Sequence, residues 1–424
     1  MPPQEAGDSE RDTTLTVYRP SAVPNQNSIE ARCFQYFAEK TVAQLTYFFP
    51  DDLWNVTVLQ IAQSNPSVRH AISSLSWYHE RFVRPTTDLG DKASFALVQY
   101  NLAIKHVLVN QVPCQPVHVG IISCLLFVCI ESLRGNLNTA MHLFKYGRYM
   151  IQDARRSIIA GTSNWDTFGS GEFLQAVEAI FLPLGIQISL LVGDVDPDFS
   201  PQNSQASGTA KYFSKSPYSN LREARDDILQ ATQEYLAFDK INGDVDGYLH
   251  RLGLWRDRFR EYIQRDARSL EDQTSQRSIA LLDLQAMFLE YSVSCFWPSD
   301  PLNPMRWDKY SDNKIEEMIG LAATAVGLGV SGETMDHGYC VAEPRFQLDL
   351  GVVPILWNII DRCRTPHLRR YALRILQSTA VQEGVWNAAL VSIVAERGIL
   401  LEEAGLERVK SKEDIPKAQR PVII

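Results

Sequence analysis

The sequence predicts an all-α protein, a multi-helix globular bundle around one central buried helix, with no sheet. The stretch VHVGIISCLLFVCI at 117–130 is apolar on every face, and such a helix must be covered by other helices. Apolar residues recur at helical spacing through most of the remaining chain. Alternating segments bounded by hairpin turns are almost absent. Together these observations predict helix after helix, wrapped around the central one.

The central helix has clear boundaries in the sequence. Pro116 precedes it, and Gly135 follows it as a predicted C-cap. The fourteen residues of this stretch would extend about 21 Å at the helical rise, whereas a helix that crosses a bilayer needs roughly 20 residues, or about 30 Å. We therefore expect a core helix and no membrane span.

The helices before the central one have recognisable start signals. Ser28 is a suitable N-cap for the first helix, Asp51 for the second, and Pro66 stands at the first position of the third, where its missing N–H does no harm. The periodicity predicts these helices at 28–48, 51–63, 66–77 and 95–109.

The second half of the chain repeats the pattern. A helix over 173–191 contains Pro183, which predicts a kink or an interruption because proline cannot donate the backbone bond. The remaining helices are predicted at 136–158, 221–238, 248–263, 279–296, 315–328, 353–363, 368–379 and 383–404.

The domain organisation follows from composition. Residues 1–27 are polar and proline-containing, which predicts a disordered arm. Residues 28–404 are predicted to form a single helical domain, which would subdivide at the Ser-, Pro- and Asp-rich loop 193–219 if it subdivides at all. Residues 405–424 are predicted to be a C-terminal tail.

Charge and cysteine content limit the function classes. The net charge of −9 disfavours direct DNA binding, because such binding requires a basic surplus that neutralises phosphates. The N-terminus has no apolar segment of the kind a secretory signal requires, so we expect an intracellular protein, nuclear or cytoplasmic. Seven scattered cysteines, an odd number, are typical of reduced, buried thiols.

No metal or cofactor site is predicted. Asp194, Asp196 and Asp198 have the first spacings of a calcium loop but lack its glycine and its final glutamate. The glycine-rich 327–332 segment lacks the Lys-Ser/Thr ending of a phosphate loop. The arginines between 362 and 374 are interpreted as a solvated helix end.

A ligand pocket next to the central helix is the one site hypothesis. Aromatic side chains with a few convergent polar groups form small-molecule sites. The competing interpretation is that the same side chains simply fill the core. The candidates are Trp54, His70, Trp77, His79, Glu131, Tyr146 and Arg148.

Several stretches resemble the fungal-specific transcription factor domain, the regulatory region of fungal binuclear zinc-cluster transcription factors. They are EARCFQYFAEKTVAQL together with PDDLWNVTVLQIAQSNPSVRHAISSLSWYHERF, FALVQYNLAIKHV, CLLFVCIESLRGNLNTAMHLFKYGRYMI and ILWNIIDRCRTPHLRRYALRILQSTAVQEGVW. The resemblance covers about residues 28–192 and 345–404, and it implies an all-α fold. The family's zinc-binding cysteines are missing, since the first 32 residues contain no cysteine.

The resemblance implies a zinc-cluster-less regulatory or effector-sensing protein of fungal secondary metabolism. It would act through a protein partner or an apolar metabolite, with no direct contact to nucleic acid or membrane. The alternative is a cofactor-independent biosynthetic enzyme on the same scaffold, a pericyclase or Diels-Alder-type cyclase, which would work by orienting an apolar substrate in the helical pocket.

Overall fold

The computed structural model describes residues 28–85, 90–109, 116–160, 170–192, 217–237, 244–296, 306–328, 343–406 and 408–419. The predicted arm at 1–27, most of the predicted loop at 193–219 and the aspartates at 194–198 lie outside these residues. In the predicted tail, the described part contains two short 3-10 turns, Lys412–Asp414 and Lys417–Gln419, and Ile415 between them is buried.

Helices account for most of the described chain, which confirms the all-α class. Two π-helical turns, Phe37–Thr41 and Leu53–Thr57, join the first short helices. The helices up to the long segment at 193–216 are α1 Ser28–Tyr36, α2 Val42–Leu45, α3 Val58–Ser64, α4 Pro66–Val83, α5 Gly90–Val109, α6 Val117–Arg134, α7 Leu137–Ile159 and α8 Ser170–Val192.

The second set of helices follows after residue 216. Two 3-10 turns, Ala267–Leu270 and Arg306–Lys309, lie between its members. Its helices are α9 Leu221–Leu236, α10 Val245–Arg265, α11 Gln273–Phe296, α12 Asp312–Val326, α13 Val353–Arg362, α14 Pro366–Ser378 and α15 Ala388–Glu402.

Capping hydrogen bonds are present at several helix ends. Asn65 accepts hydrogen bonds from the backbone N–H groups of Ser67 and Val68, with Pro66 at the first position of α4. Gly135 has φ +76° and closes α6 with the paired bonds of a Schellman motif. Asp51 Oδ1 accepts from the N–H of Leu53 at 2.8 Å.

The central helix α6 is buried as predicted. Every residue from Ile121 to Ser132 is buried, and α6 packs between α4 and α7. Two described helices, Val117–Arg134 and Gly171–Val192, have the length and apolar composition that a membrane span requires, and 72% and 50% of them is buried inside the protein. Buried core helices meet the same criterion, and α6 is one.

The expectation of no sheet was wrong. β1 Arg345–Gln347 pairs in parallel with β2 Val381–Glu383, and β2 pairs antiparallel with β3 Trp386–Asn387. Strands of two or three residues are too short to show alternation in a sequence. For the same reason the helix predicted at 383–404 begins only at Ala388, after a turn in which Gly384 has φ +49°.

One cluster of buried residues runs through the described chain from Phe37 to Ile399. It includes side chains from both sides of the 193–216 segment. The described cysteines are buried: Cys33, Cys124, Cys129, Cys295 and Cys363. Burial raises the pKa of the Cys33 thiol to about 11 and that of Cys124 to about 12, so these thiols are protonated at neutral pH.

Candidate functional site

The seven predicted pocket residues are distributed over four elements next to the central helix. His70, Trp77 and His79 lie on α4, Glu131 lies on α6 itself, and Tyr146 and Arg148 lie on α7. Trp54 lies in the second π-helical turn. Helices α4 and α7 both contact α6, so the predicted neighbourhood is real, but the side chains do not converge on one space.

His79 is fully buried, and both of its ring nitrogens are hydrogen-bonded to other side chains. Its Nδ1 lies 2.9 Å from Thr41 Oγ1, and its Nε2 lies 2.8 Å from Gln44 Oε1. Gln44 Nε2 donates to the carbonyl of Pro344, which fixes the amide so that Oε1 accepts. His79 therefore carries its proton on Nε2 and accepts from Thr41 at Nδ1. Burial lowers the His79 pKa to about 4, so the ring is neutral at pH 7.

This arrangement links the N-terminal helices to the sheet. Gln44 Oε1 also accepts the backbone N–H of Phe346 in β1, at 2.7 Å. Both ring nitrogens of His79 and both polar ends of Gln44 are used in these contacts. His79 therefore has a structural role, because both of its ring nitrogens are hydrogen-bonded within the protein.

Near the end of the central helix, the Glu131 carboxylate accepts a hydrogen bond at each of its two oxygens. Arg134 Nη1 donates to Oε1 at 2.7 Å, and Asn136 Nδ2 donates to Oε2 at 2.6 Å. Tyr100 is also hydrogen-bonded to Glu131, and burial together with this carboxylate raises the tyrosine pKa. The Arg134 guanidinium lies 5.7 Å from the ring centre of Tyr100 and 5.8 Å from that of Tyr78. Glu131 and Arg134, three residues apart on α6, therefore form an ion pair.

His70 belongs to a different polar chain. Its Nδ1 lies 2.6 Å from Gln99 Oε1, while Gln99 Nε2 donates to Glu30 at 3.0 Å. The imidazole stacks on that of His106, with ring centres 5.4 Å apart. Burial, followed by the neighbouring His70, lowers the pKa of His106. These contacts tie α1, α4 and α5 together on the side of α4 away from His79.

The remaining candidates point in different directions. Trp77 is half-buried, with the Arg81 guanidinium 5.5 Å from its ring centre. Tyr146 is 59% exposed and Arg148 is half-buried, both on the outer part of α7. Trp54 lines a small cavity, next to Arg222, Arg225 and Asp349.

That cavity has a volume of about 20 Å³, and a second one, between α9 and α10 at Tyr248 and Trp255, has about 30 Å³. One water molecule needs roughly 10–15 Å³ on this measure. The two cavities therefore accommodate one or two waters each. Within the described part of the chain, no group of three His, Cys, Asp or Glu side chains is arranged to hold a metal ion.

The polar centre of the molecule, which the sequence analysis missed, is the buried segment 347–353. Gln187 Nε2 on α8 donates to the carbonyls of Leu348 and Asp349, both at 2.8 Å. Gln285 Nε2 on α11 donates to the carbonyl of Leu350 at 2.5 Å. A buried non-helical backbone must have its polar groups satisfied, and side-chain amides from two helices do so here.

Glu383 and Arg225 complete the contacts to this segment. The Glu383 carboxylate accepts the backbone N–H groups of Val352 and Val353 at 2.9 Å, at the start of α13, and Gln347 Nε2 at 3.1 Å. Burial raises the Glu383 pKa to about 8. Arg225 Nε donates to Asp349 at 2.8 Å.

A sequence signal for these residues existed. Gln187 interrupts the apolar run GIQISLLV, and Gln285 interrupts LLDLQAMF. A polar residue within an apolar helical run is buried and needs a partner. The partner, a loop more than 60 residues away in both cases, is not visible in the sequence.

The interpretation of the arginines between 362 and 374 as a solvated helix end was wrong for two of them. Arg369 is buried, and it donates to the carbonyl of Ile360 at 2.6 Å and to Glu402 at 2.5 Å. Arg364 is buried and pairs with the same carboxylate at 3.2 Å. Glu402 lies on α15, so the arginines join α14 to α15 through a buried ion cluster.

The comparisons with known proteins returned no match: no family model, no curated protein and no solved structure is similar to this chain. The fold and these contacts define a mostly helical protein whose central polar residues hold its own helices and the buried segment 347–353 in place.

Proposed function

We propose that this chain is a regulatory protein of fungal secondary metabolism that acts through a protein partner rather than by reading DNA. Two sequence features support the proposal: the resemblance of residues 28–192 and 345–404 to the fungal-specific transcription factor domain, and a net charge of −9. An acidic chain supplies few of the phosphate contacts that DNA binding needs.

The observation that carries the proposal is that the polar candidates His79 and Glu131 are hydrogen-bonded within the protein. Both ring nitrogens of His79 and both carboxylate oxygens of Glu131 are occupied by other side chains of the protein. The cavity at Trp54 and the one at Trp255 hold one or two waters each. Side chains whose polar atoms are hydrogen-bonded inside the protein stabilise the contacts between its helices. We therefore expect the protein to bind its partner through surface residues.

Effector sensing through an apolar metabolite is the second part of the same proposal, and it has a structural requirement. Drug-sized ligands occupy pockets of about 300–1,000 Å³. A metabolite next to Trp54 or Trp77 would require α4 or α8 to move away from its neighbours. Binding would then couple directly to a rearrangement, which is the property a sensor needs.

Deletion of the gene in its host tests the function. We expect transcripts of the co-regulated biosynthetic genes to fall, and a plasmid copy to restore them. Normal transcripts together with one accumulated intermediate would contradict the proposal and support the cofactor-independent enzyme.

A gel-shift experiment tests the mode of action. The purified chain alone should give no sequence-dependent shift with promoter DNA at physiological salt, whereas nuclear extract containing its partner should. A salt-resistant, sequence-dependent shift by the chain alone would contradict action through a partner.

A further inference from the structure

We propose that Tyr47, Arg277 and Arg345 form a binding site for a compact, doubly charged oxyanion, the phosphate group of a small molecule. Tyr47 follows α2, Arg277 lies on α11 and Arg345 begins β1, so the tertiary structure alone brings the three side chains together. This inference does not rest on the proposed function, and either one can fail without the other.

Two guanidinium groups meet at the phenol of Tyr47. Arg277 Nη1 donates to the Tyr47 hydroxyl at 2.6 Å. The Arg345 guanidinium lies over the ring of the same tyrosine, with Cζ 3.8 Å from the ring centre. All three residues are half-buried, which leaves part of their surface in contact with solvent. A small ligand in solution can therefore reach this cluster.

The cluster has donors and positive charge but no matching acceptor. Among the residues that the structure describes, neither Arg277 nor Arg345 forms an ion pair with an Asp or Glu side chain, and the proton of the Tyr47 hydroxyl has no acceptor. By contrast, Arg225 and Arg256 each bind a carboxylate. Two like charges held close together repel each other, so an anion bound between them would stabilise the arrangement.

Two negative groups near the arginines do not supply the missing charge. The Glu383 carboxyl group acts on Arg345, but burial raises its pKa to about 8, so most of it is uncharged at pH 7. The end of α12 carries only a partial negative charge; a Cβ at Gly327 there would lie 2.3 Å from Arg277 Nη2. Burial, and to a smaller extent the charge of Arg277, lower the pKa of Arg345. A bound anion would oppose both effects.

The backbone around the cluster is held in place by the fold. The N–H of Arg345 donates to the carbonyl of Ala380 at 2.9 Å. Ser278 Oγ on α11 donates at 3.0 Å to the carbonyl of Phe48, the residue after Tyr47. Elements fixed in this way lose little conformational entropy when a ligand binds.

The charge and shape of the donors select a small phosphate. A guanidinium group presents parallel N–H donors that match two oxygens of an oxyanion. A phosphate monoester carries about −1.5 to −2 charges at pH 7, which two arginines balance. The net charge of −9 disfavours extended polyanions such as nucleic acid or an anionic membrane surface. A small molecule with one phosphate group is therefore the ligand class that fits.

Titration calorimetry of the full chain with inorganic phosphate, at an ionic strength held constant with sodium chloride, tests the site. We expect one phosphate per chain with a dissociation constant of about 1 mM or lower, because a few charge-assisted hydrogen bonds supply binding energy of this size. Phosphate should also raise the melting temperature. Acetate, with a single charge, should bind more weakly, and acetate that binds as tightly as phosphate would contradict the doubly charged ligand.

Three variants test the residues. Arg277→Gln and Arg345→Gln should each weaken phosphate binding about tenfold or more, and Tyr47→Phe, which keeps the ring and removes the hydroxyl, about threefold. Arg155→Gln is the matched control, since it changes the net charge by the same amount but removes a guanidinium that already binds Glu178. Its phosphate affinity should equal that of the wild type.

Circular dichroism shows which variants retain the helical fold, and only those are compared. A wild-type chain that neither binds phosphate nor is stabilised by it would overturn the site, as would a folded Arg277→Gln variant with unchanged affinity. Vesicles containing phosphatidic acid distinguish a lipid headgroup from a small molecule. Binding to these vesicles without binding to inorganic phosphate would overturn the assignment to a small molecule.

Discussion

Arg225 supplies the hydrogen bond that Pro183 removes from its own helix. Pro183 has no N–H, so the carbonyl of Ala179, four residues earlier, loses its helical donor. Arg225 Nη2 on α9 donates to that carbonyl at 3.3 Å, while its Nε holds Asp349. The predicted interruption at Pro183 is therefore absent, and α8 continues from Ser170 to Val192.

Arg225→Ala should reduce the free energy of unfolding by about 3–5 kcal/mol. The substitution leaves the carboxylate of Asp349 and the carbonyl of Ala179 without a donor in a buried place, and removing one member of a buried ion pair has costs of this size. Denaturant unfolding measures the change. Arg260→Ala is the control: its ion pair with Asp257 is exposed, so we expect a change within about 0.5 kcal/mol.

Pro183→Ala tests the link between the two residues. Alanine restores the N–H that can bind the Ala179 carbonyl, so part of the cost of Arg225→Ala should disappear in the double variant. A double-mutant cycle should give a coupling of about 0.5–1 kcal/mol. Strict additivity would show that the 3.3 Å contact contributes nothing.

Glu383 should stabilise the folded state at low pH and lose this contribution as the pH rises. Burial raises its folded-state pKa from 4.5 to about 8, so the folded state retains a proton that the unfolded state has lost. Its contribution is present below about pH 4.5 and is lost as pH rises through 8. Relative to wild type, Glu383→Gln should gain stability from about pH 5 to about pH 8 and level off above that, measured by denaturant unfolding at each pH. A difference that does not vary with pH would contradict this assignment.

His79 should behave in the opposite way. Burial lowers its folded-state pKa from 6.5 to about 4, so the unfolded state binds the extra proton first. The stability that neutral His79 contributes is present above about pH 6.5 and is lost as pH falls towards 4. Nitrogen NMR of the imidazole should show the proton on Nε2 and no protonation down to about pH 5. A signal from the doubly protonated ring at pH 6 would contradict the buried geometry.

Replacing each of two glycines by alanine should change the stability in opposite directions. Gly135 has φ +76°, and a Cβ there would meet no atom within 4 Å, so Gly135→Ala should cost about 1–2 kcal/mol from backbone strain alone. Gly253 lies within α10 and also has open space around it. Gly253→Ala should stabilise by about 0.5–1 kcal/mol, because alanine has the better helix propensity. Thermal unfolding of both variants measures the two stability changes. Changes of the same sign would contradict this explanation.

The helical part of the fold was accessible from local information. Caps at Asn65 and Gly135, and apolar spacing along α4, α6 and α7, are interactions between residues a few positions apart. The burial of α6 followed from its composition, because a helix apolar on all sides has no stable position except the core.

The candidate site could be predicted only in part, because its contacts join distant segments. The Glu131–Arg134 pair is local, because residues three apart on a helix are neighbours on its surface. His79 joins Gln44 and, through it, Phe346, which is 302 residues from Gln44 in the chain. Periodicity carries no information about such pairings.

The sequence by itself therefore determined the helices, their caps and the buried position of α6, since these depend on short-range spacing and composition. Only the tertiary structure decided that Gln187, Gln285, Arg225 and Glu383 meet around the segment 347–353. The physical reason is that a buried loop must satisfy its backbone polar groups with whatever donors and acceptors the packing brings near.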